Sequence, residues 1–391
     1  MRLRYLVPSL VMALAGATLA KVNILGFWWE NPLPYQRMPR GLSSLAAANC
    51  GQCHQEIYAE WKASAHAHAL SDLQFQEEMK KSPETQWLCL NCHTPLENQM
   101  ERIAFDVRNG SARQPLFQSN ALFDAPLHQE AVTCAVCHVR DGVILGPYAD
   151  SNAPHPVRQD RRLLTGAVCV MCHQATASYG DSLICTFDTA NEWKSGPYGK
   201  SGVACSSCHM PPVQRAVANG GPSRRSRRHL FFGSKIPKQM RLSRSELGDY
   251  KLYRPGLSVE ILSAKRTGDL ALITLKLKNA RAGHMLPTGD PERFIRVDLK
   301  LVAGDQVIDS KSLRIGQKWE WWPKARKLDD NRLKPLEERT ETVQLHLTRP
   351  AALHISVSNC RLSEENARYH NLIGRYPLES KVLDLAPYPL K

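Results

Sequence analysis

Five copies of one short pattern run through this 391-residue chain. They are Cys50-Gly-Gln-Cys53-His54, Cys89-Leu-Asn-Cys92-His93, Cys134-Ala-Val-Cys137-His138, Cys169-Val-Met-Cys172-His173 and Cys205-Ser-Ser-Cys208-His209. Ten of the twelve cysteines and five of the fourteen histidines belong to it. Cysteines three residues apart on a helical turn present two thiols on one side. Two such thiols add across the vinyl groups of a porphyrin, and the next residue brings its imidazole under the iron as proximal ligand. Paired Cys-x-x-Cys also builds zinc knuckles, but zinc makes no demand for a histidine after every pair. The pattern implies five covalently attached haem c groups. Cys50, Cys53, Cys89, Cys92, Cys134, Cys137, Cys169, Cys172, Cys205 and Cys208 are the attachment thiols. His54, His93, His138, His173 and His209 are the proximal ligands.

The far side of each iron decides between electron transfer and substrate chemistry. Five of the remaining histidines sit where a ligand is expected. His66 follows the first motif by a helix length and is preferred to His68, because one helical face serves one iron. His128 precedes the third motif. His155 is stiffened between Pro154 and Pro156, which lowers the entropy of holding a ligand. His229 follows the last motif, and His284 lies on a turn between two strand-like runs. His346, His354 and His370 read as structural. With all five distal assignments every iron is bis-histidine and closed, which points to electron transfer. An iron left without a sixth ligand would instead be a reaction site.

The five motifs fall between Cys50 and His209, too little chain per site for an ordinary apolar core. The haems must supply the interior, so the chain without them is expected to be largely unfolded. The formal charge is +14, from 51 Lys+Arg against 37 Asp+Glu. Five ferric haems with ionised propionates, about −1 each, lower it to roughly +9. A mildly basic surface suits acidic redox donors and acceptors.

The N-terminus reads as an export segment. Arg2 and Arg4 precede an apolar run from Tyr5 to Ala20, with small residues near its end. Either residues 1–20 are a cleaved signal, after Ala17 or Ala20, or they form an uncleaved anchor continued by Val22 to Trp29. Both place the body in the periplasm or another exported compartment, the second with membrane association. Export removes nucleic acid as a partner.

The fold class expected is a mostly α and irregular multihaem domain, short helices and loops around haems, followed by an all-β sandwich-like domain. Residues 21–45 read as a linker and 46–250 as the pentahaem domain, helical in short pieces around Leu45–Ala69, Leu73–Lys81 and Asn191–Lys194. Glu60-Trp61-Lys62 is echoed as Glu192-Trp193-Lys194. From 255 to 391 the pattern changes. Leu257–Leu262, Leu270–Leu277, Phe294–Val302, Thr340–Leu347 and Leu353–Val357 alternate apolar and polar residues as half-buried strands do. Trp319, Trp321 and Trp322 suggest packing against a haem or a binding role. Cys185 and Cys360, outside the motifs, are a potential interdomain disulfide.

The opening Cys50-x-x-Cys53-His54-Gln-Glu-Ile-Tyr58-x-x-Trp61-x-x-Ser64-x-His66 resembles the cytochrome c-554 family. Val132 to Gly142, Pro154-His155-Pro156 and Cys205 to Pro211 resemble related multihaem cytochromes, as does Gly283-His284-x-x-Pro287-Thr288-Gly289. The likeness covers most of 46–300. It implies periplasmic electron transfer, clustered haems and distal histidines such as His66. That family's namesake carries four haems, one of them five-coordinate, whereas this chain has five motifs and a β-domain. The competing function is reduction of a small nitrogen or sulfur compound at one open iron, towards which Arg224, Arg225, Arg227 and Arg228 could draw an anion.

Overall fold

The computed structural model describes residues 24–148, 152–179, 184–238, 252–321 and 324–390. The export segment lies outside them. So do Trp322 and the side chain of Cys185. Among the described residues no helix is long and apolar enough to cross a membrane.

The N-terminal half is a set of short helices and tight turns. Its helices include Ala47–Gly51, Gln55–Lys62, Leu73–Lys81, Gln86–His93, Ala125–His128, Cys134–His138, Thr189–Ser195 and Cys205–His209. Leu73–Lys81 is started by Asp72, whose carboxylate accepts the Phe75 amide at 3.0 Å, the usual N-cap bond. Over residues 45–69 the helix comes in two short pieces, Ala47–Gly51 and Gln55–Lys62. His54 leaves helical dihedrals at φ −96° and ψ 50°, and from Ala63 the chain turns, so His66 and His68 sit on a turn. Four small strand assemblies connect the helices, and the alternation pattern gave no sign of them. They are Arg102–Val107 with Pro115–Ser119, Val139–Arg140 with Val143–Gly146 and Val157–Gln159, Ala175–Ser178 with Ile184–Phe187, and Pro212–Ala216 with Ser223–Arg227. Residues 24–45 are packed onto this domain rather than acting as a linker. Trp29, Glu30 and Gln36 are buried, and Leu33 bridges to Leu96.

Among the described residues apolar side chains gather there into two small clusters, one around Trp29, Trp87 and Tyr179 and one around Leu45, Leu96 and Leu127. That is sparse for so long a stretch of chain, as an interior completed by porphyrin requires.

The C-terminal domain is a sandwich of antiparallel sheets. One sheet orders Leu257–Thr267, Leu270–Asn279 and Glu338–His346. The other orders Arg326–Asp330, Gln306–Glu320, Phe294–Ala303, Ala351–Cys360 and Glu379–Asp384, with Tyr388–Leu390 added beside Ala351–Cys360. Inward residues alternate along each strand as the pleat dictates. Ala271, Ile273, Leu275 and Leu277 face Ile295, Val297, Leu299 and Leu301 in one continuous core.

Among the polar contacts that join the domains, two are largely shielded from solvent. Asp72 binds Lys238 and the Tyr376 hydroxyl, with Arg361 at 3.6 Å. Glu192 pairs with Arg332 at 2.7 Å and accepts the Thr288 hydroxyl at 2.5 Å. Of the disulfide considered between Cys185 and Cys360, Cys360 is a buried free thiol, and the side chain of Cys185 lies outside the described residues.

Candidate cofactor-binding site

Each of the five motifs occupies one helical turn or its edge, which follows from its spacing. In the first, the His54 amide donates to the Cys50 carbonyl at 2.9 Å, and in the fourth, His173 donates to Cys169 at 3.0 Å. This i to i+4 closure brings the histidine back beside its two cysteines.

The histidines then meet across the fold in three pairs. His66 faces His173 with ring centres 6.2 Å apart, His229 faces His138 at 6.1 Å, and His284 faces His209 at 6.3 Å. Two imidazoles on opposite sides of one metal stand about 6.2 Å apart, given a metal–nitrogen bond of about 2 Å and about 1.1 Å more to each ring centre. The three gaps fit a single iron each.

Ring orientation is fixed through the other nitrogen. The Nδ1 atoms of His54, His93 and His138 bond the carbonyls of Val217 (2.7 Å), Ala69 (2.6 Å) and Leu145 (2.8 Å), and that of His209 bonds Phe232. His128, His229 and His284 bond Gln99 (2.7 Å), Arg227 (3.0 Å) and Met285 (2.7 Å) in the same way. A carbonyl acceptor at Nδ1 selects the tautomer whose Nε2 lone pair is free for a metal. Burial, the largest influence in each case, pushes His66 down to about 3 and His93, His173, His229 and His284 to about 4. All are therefore neutral at pH 7, the form that ligates.

Two assigned distal histidines are placed differently. His128 has Phe123 as its ring neighbour, at 5.9 Å. It lines a cavity of about 470 Å³ with Leu70, Gln76, Met79, Gln86 and Leu90, beside the second motif. His93 of that motif stacks face-to-face on Phe75, ring centres 3.6 Å apart. His155 sits in the loop that crosses Gly41, where a Cβ would meet the Pro154 carbonyl at 2.5 Å.

Thiols from different motifs touch. Cys50 hydrogen-bonds Cys134, Cys92 bonds Cys172, and Cys169 bonds Cys205. The fourth motif thus borders the second and the fifth, while the first borders the third. Cys53 and Cys208 alone among the ten are exposed, so the first and fifth sites approach the surface.

His284 is supplied by the β-domain. Its loop is tied by Asn279, which donates to the His284 carbonyl at 3.0 Å, and by the Glu192 contacts. A Cβ on Gly283 would lie 3.2 Å from Tyr198 and 3.4 Å from Trp193. Only glycine lets the loop come this close without displacement. The arginine run is largely occupied. Arg227 donates to the Ser206 carbonyl (3.2 Å) and Arg228 to Glu60 (2.9 Å). Trp319 and Trp321 stack on each other at 5.1 Å, on the β-domain.

Sequence reasoning missed several contributors that act by contact. Phe231 stands 4.4 Å from His66 and 5.8 Å from His229. The backbone carbonyls that hold the imidazoles belong to no motif, and nothing in their residue types signals them.

Residues 49–139 match the family described as cytochrome c554 and c-prime. The fold is similar to the crystal structure of a penta-heme cytochrome c552 from Thermochromatium tepidum, with a TM-score of 0.64 and 18% identity over 90% of this chain and 100% of that one. At that identity the likeness concerns the fold. A β-glucosidase from Kluyveromyces marxianus in complex with glucose aligns over 34% of this chain and 15% of its own, at 16% identity and a TM-score of 0.14, and carries no argument. No curated protein matches the sequence.

Proposed function

We propose that this multihaem c-type cytochrome is an exported electron-transfer protein carrying five covalent haem c groups, ligated wholly or mainly by paired histidines. Haem c bound here supplies one-electron chemistry at iron. The residues supply everything else. Ten thiols anchor, five motif histidines ligate from one side, and His66, His229 and His284 ligate from the other. Backbone carbonyls hold seven of the imidazoles by Nδ1.

The observation that carries the reading is the set of three ring gaps between 6.1 and 6.3 Å, each joining a motif histidine to one remote in sequence. Where both axial positions belong to histidine, no substrate reaches iron. Contacts between thiols of neighbouring motifs support closely spaced porphyrins, as electron passage requires. Acidic redox proteins are the partners suggested by charge, and the exposure of Cys53 and Cys208 supports contact with them at the first and fifth sites. A spin-state analysis of the ferric protein tests the reading. Low-spin signals from the third, fourth and fifth sites support it, and high-spin iron at those three sites overturns it.

A second reading is favoured by one observation, the cavity of about 470 Å³ beside the second motif, which His128 lines with Leu90. There the second site would bind and reduce a small nitrogen or sulfur compound. Steady-state turnover of nitrite or hydroxylamine, lost on altering His93 alone, would establish it.

A further inference from the structure

We infer that Glu60-Trp61 and Glu192-Trp193 are two copies of one positioning device, each referring both axial ligands of a single iron to one helix. The inference rests on the ligation reading above. In each copy the two residues are adjacent on a short helix, Gln55–Lys62 and Thr189–Ser195.

The tryptophans act on the motif side. Trp61 donates its indole N–H to the Val132 carbonyl at 2.9 Å, and Trp193 donates to Val203 at 2.9 Å. Val132 stands two residues before Cys134, and Val203 two residues before Cys205. The same hydrogen bond therefore reaches the same position ahead of the third and the fifth motif.

The glutamates act on the distal side. The Glu60 carboxylate accepts the His229 amide at 2.8 Å, and is held by Arg215 at 2.7 and 2.8 Å and by Arg228 at 2.9 Å. Glu192 accepts the Thr288 hydroxyl at 2.5 Å and Arg332 at 2.7 Å, and Arg332 also reaches the Pro287 carbonyl at 3.4 Å. Residues 287 and 288 belong to the loop of His284. His229 and His284 are the histidines that face His138 and His209, the proximal residues of those same two motifs.

The correspondence is thus fourfold. One helix holds the third motif by its indole and His229 by its carboxylate. The other holds the fifth motif by its indole and the His284 loop by its carboxylate. Simple packing has no reason to repeat this division of labour at two sites. Ligand planes differ between the two, His138 and His229 at 39° and His209 and His284 at 17°. Because the angle between axial imidazole planes governs the splitting of low-spin ferric iron, the two sites give separable paramagnetic resonance signals.

The test uses full-length holoprotein. His229→Met and His284→Met first identify the signal of each site. If neither changes any signal, the ligation reading itself fails. Trp61→Phe and Glu60→Gln are then expected to shift the low-field resonance of the third site and leave the fifth unmoved. Trp193→Phe and Glu192→Gln are expected to do the reverse, while His229→Met and His284→Met behave as references. Where a variant loses haem, peptide mapping extends the test: loss confined to the matching motif supports the device. Unmoved signals, shifts at both sites together, or haem lost from unrelated motifs would overturn it.

Discussion

Phe231 sits between His66 and His229, nearly perpendicular to the second at 88°, and its own backbone is in the left-handed region at φ 48°. A bulky residue keeps such a conformation only where its surroundings dictate it. The next carbonyl, that of Phe232, receives the Nδ1 of His209, so consecutive residues touch the histidines assigned to the third, fourth and fifth sites. Phe231→Leu keeps most of the volume and should cost under about 1.5 kcal/mol. It should nonetheless shift the resonance signals of the third and fourth sites, and unchanged spectra would show that the ring has no hold on either imidazole. At this scale the sequence was most informative where covalent chemistry forces local spacing, as in Cys134 to His138. The partners of those motif histidines were not legible. His173 meets His66 and His209 meets His284 through the fold, and no local pattern encodes such a distance. The preference for His66 over His68 rested on a helical face, although both residues lie on a turn.

Among the elements, the strands of the β-domain could be read from alternation because one face of each is buried. Leu270–Asn279 shows it along its whole length. Gln306–Glu320 escaped notice because most of its residues before Ile315 are polar or exposed, leaving no period to detect. The short hairpins of the haem domain, such as Pro212–Ala216 with Ser223–Arg227, are too brief and too exposed to carry one. The sandwich core bears on the site through the His284 loop, which leaves the strand Leu270–Asn279 at Asn279. Leu275 is fully buried on that strand. Leu275→Ala should lower stability by about 2–5 kcal/mol. On heating, the low-spin signal of the fifth site should disappear before those of the third and fourth. A uniform loss across all sites would show that the β-domain and the fifth site are not specifically linked.

For the whole molecule, the Asp72 contact decides how the domains hold together. Burial raises the Asp72 carboxyl, but the charges of Lys238 and Arg361 and hydrogen bonds from Lys238 and Tyr376 outweigh it, leaving the pKa below its ordinary value. Burial pulls the Lys238 ammonium down to about 8 in spite of that partner. A carboxyl whose folded pKa is depressed contributes stability that is complete above its unfolded value, about 3.9, and lost as pH falls through the folded one. Thermal stability should therefore lose this share below about pH 4. Asp72→Asn leaves two buried cations without their carboxylate, and should cost about 3–5 kcal/mol at pH 7. A variant melting like the parent at pH 7 would remove the contact from the account. The change of pattern near residue 255 coincides with the start of the long strands at Leu257. The interlock of the domains was not legible, because Asp72, Lys238, Arg361 and Tyr376 come from separated segments.

The account stands on porphyrin bound through thioethers at every motif, filling an interior that apolar side chains leave sparse. The mass of the intact purified protein under denaturing conditions measures this directly, since noncovalent groups are stripped away. The account predicts the polypeptide mass plus five haem units, and a mass short of five would contradict it.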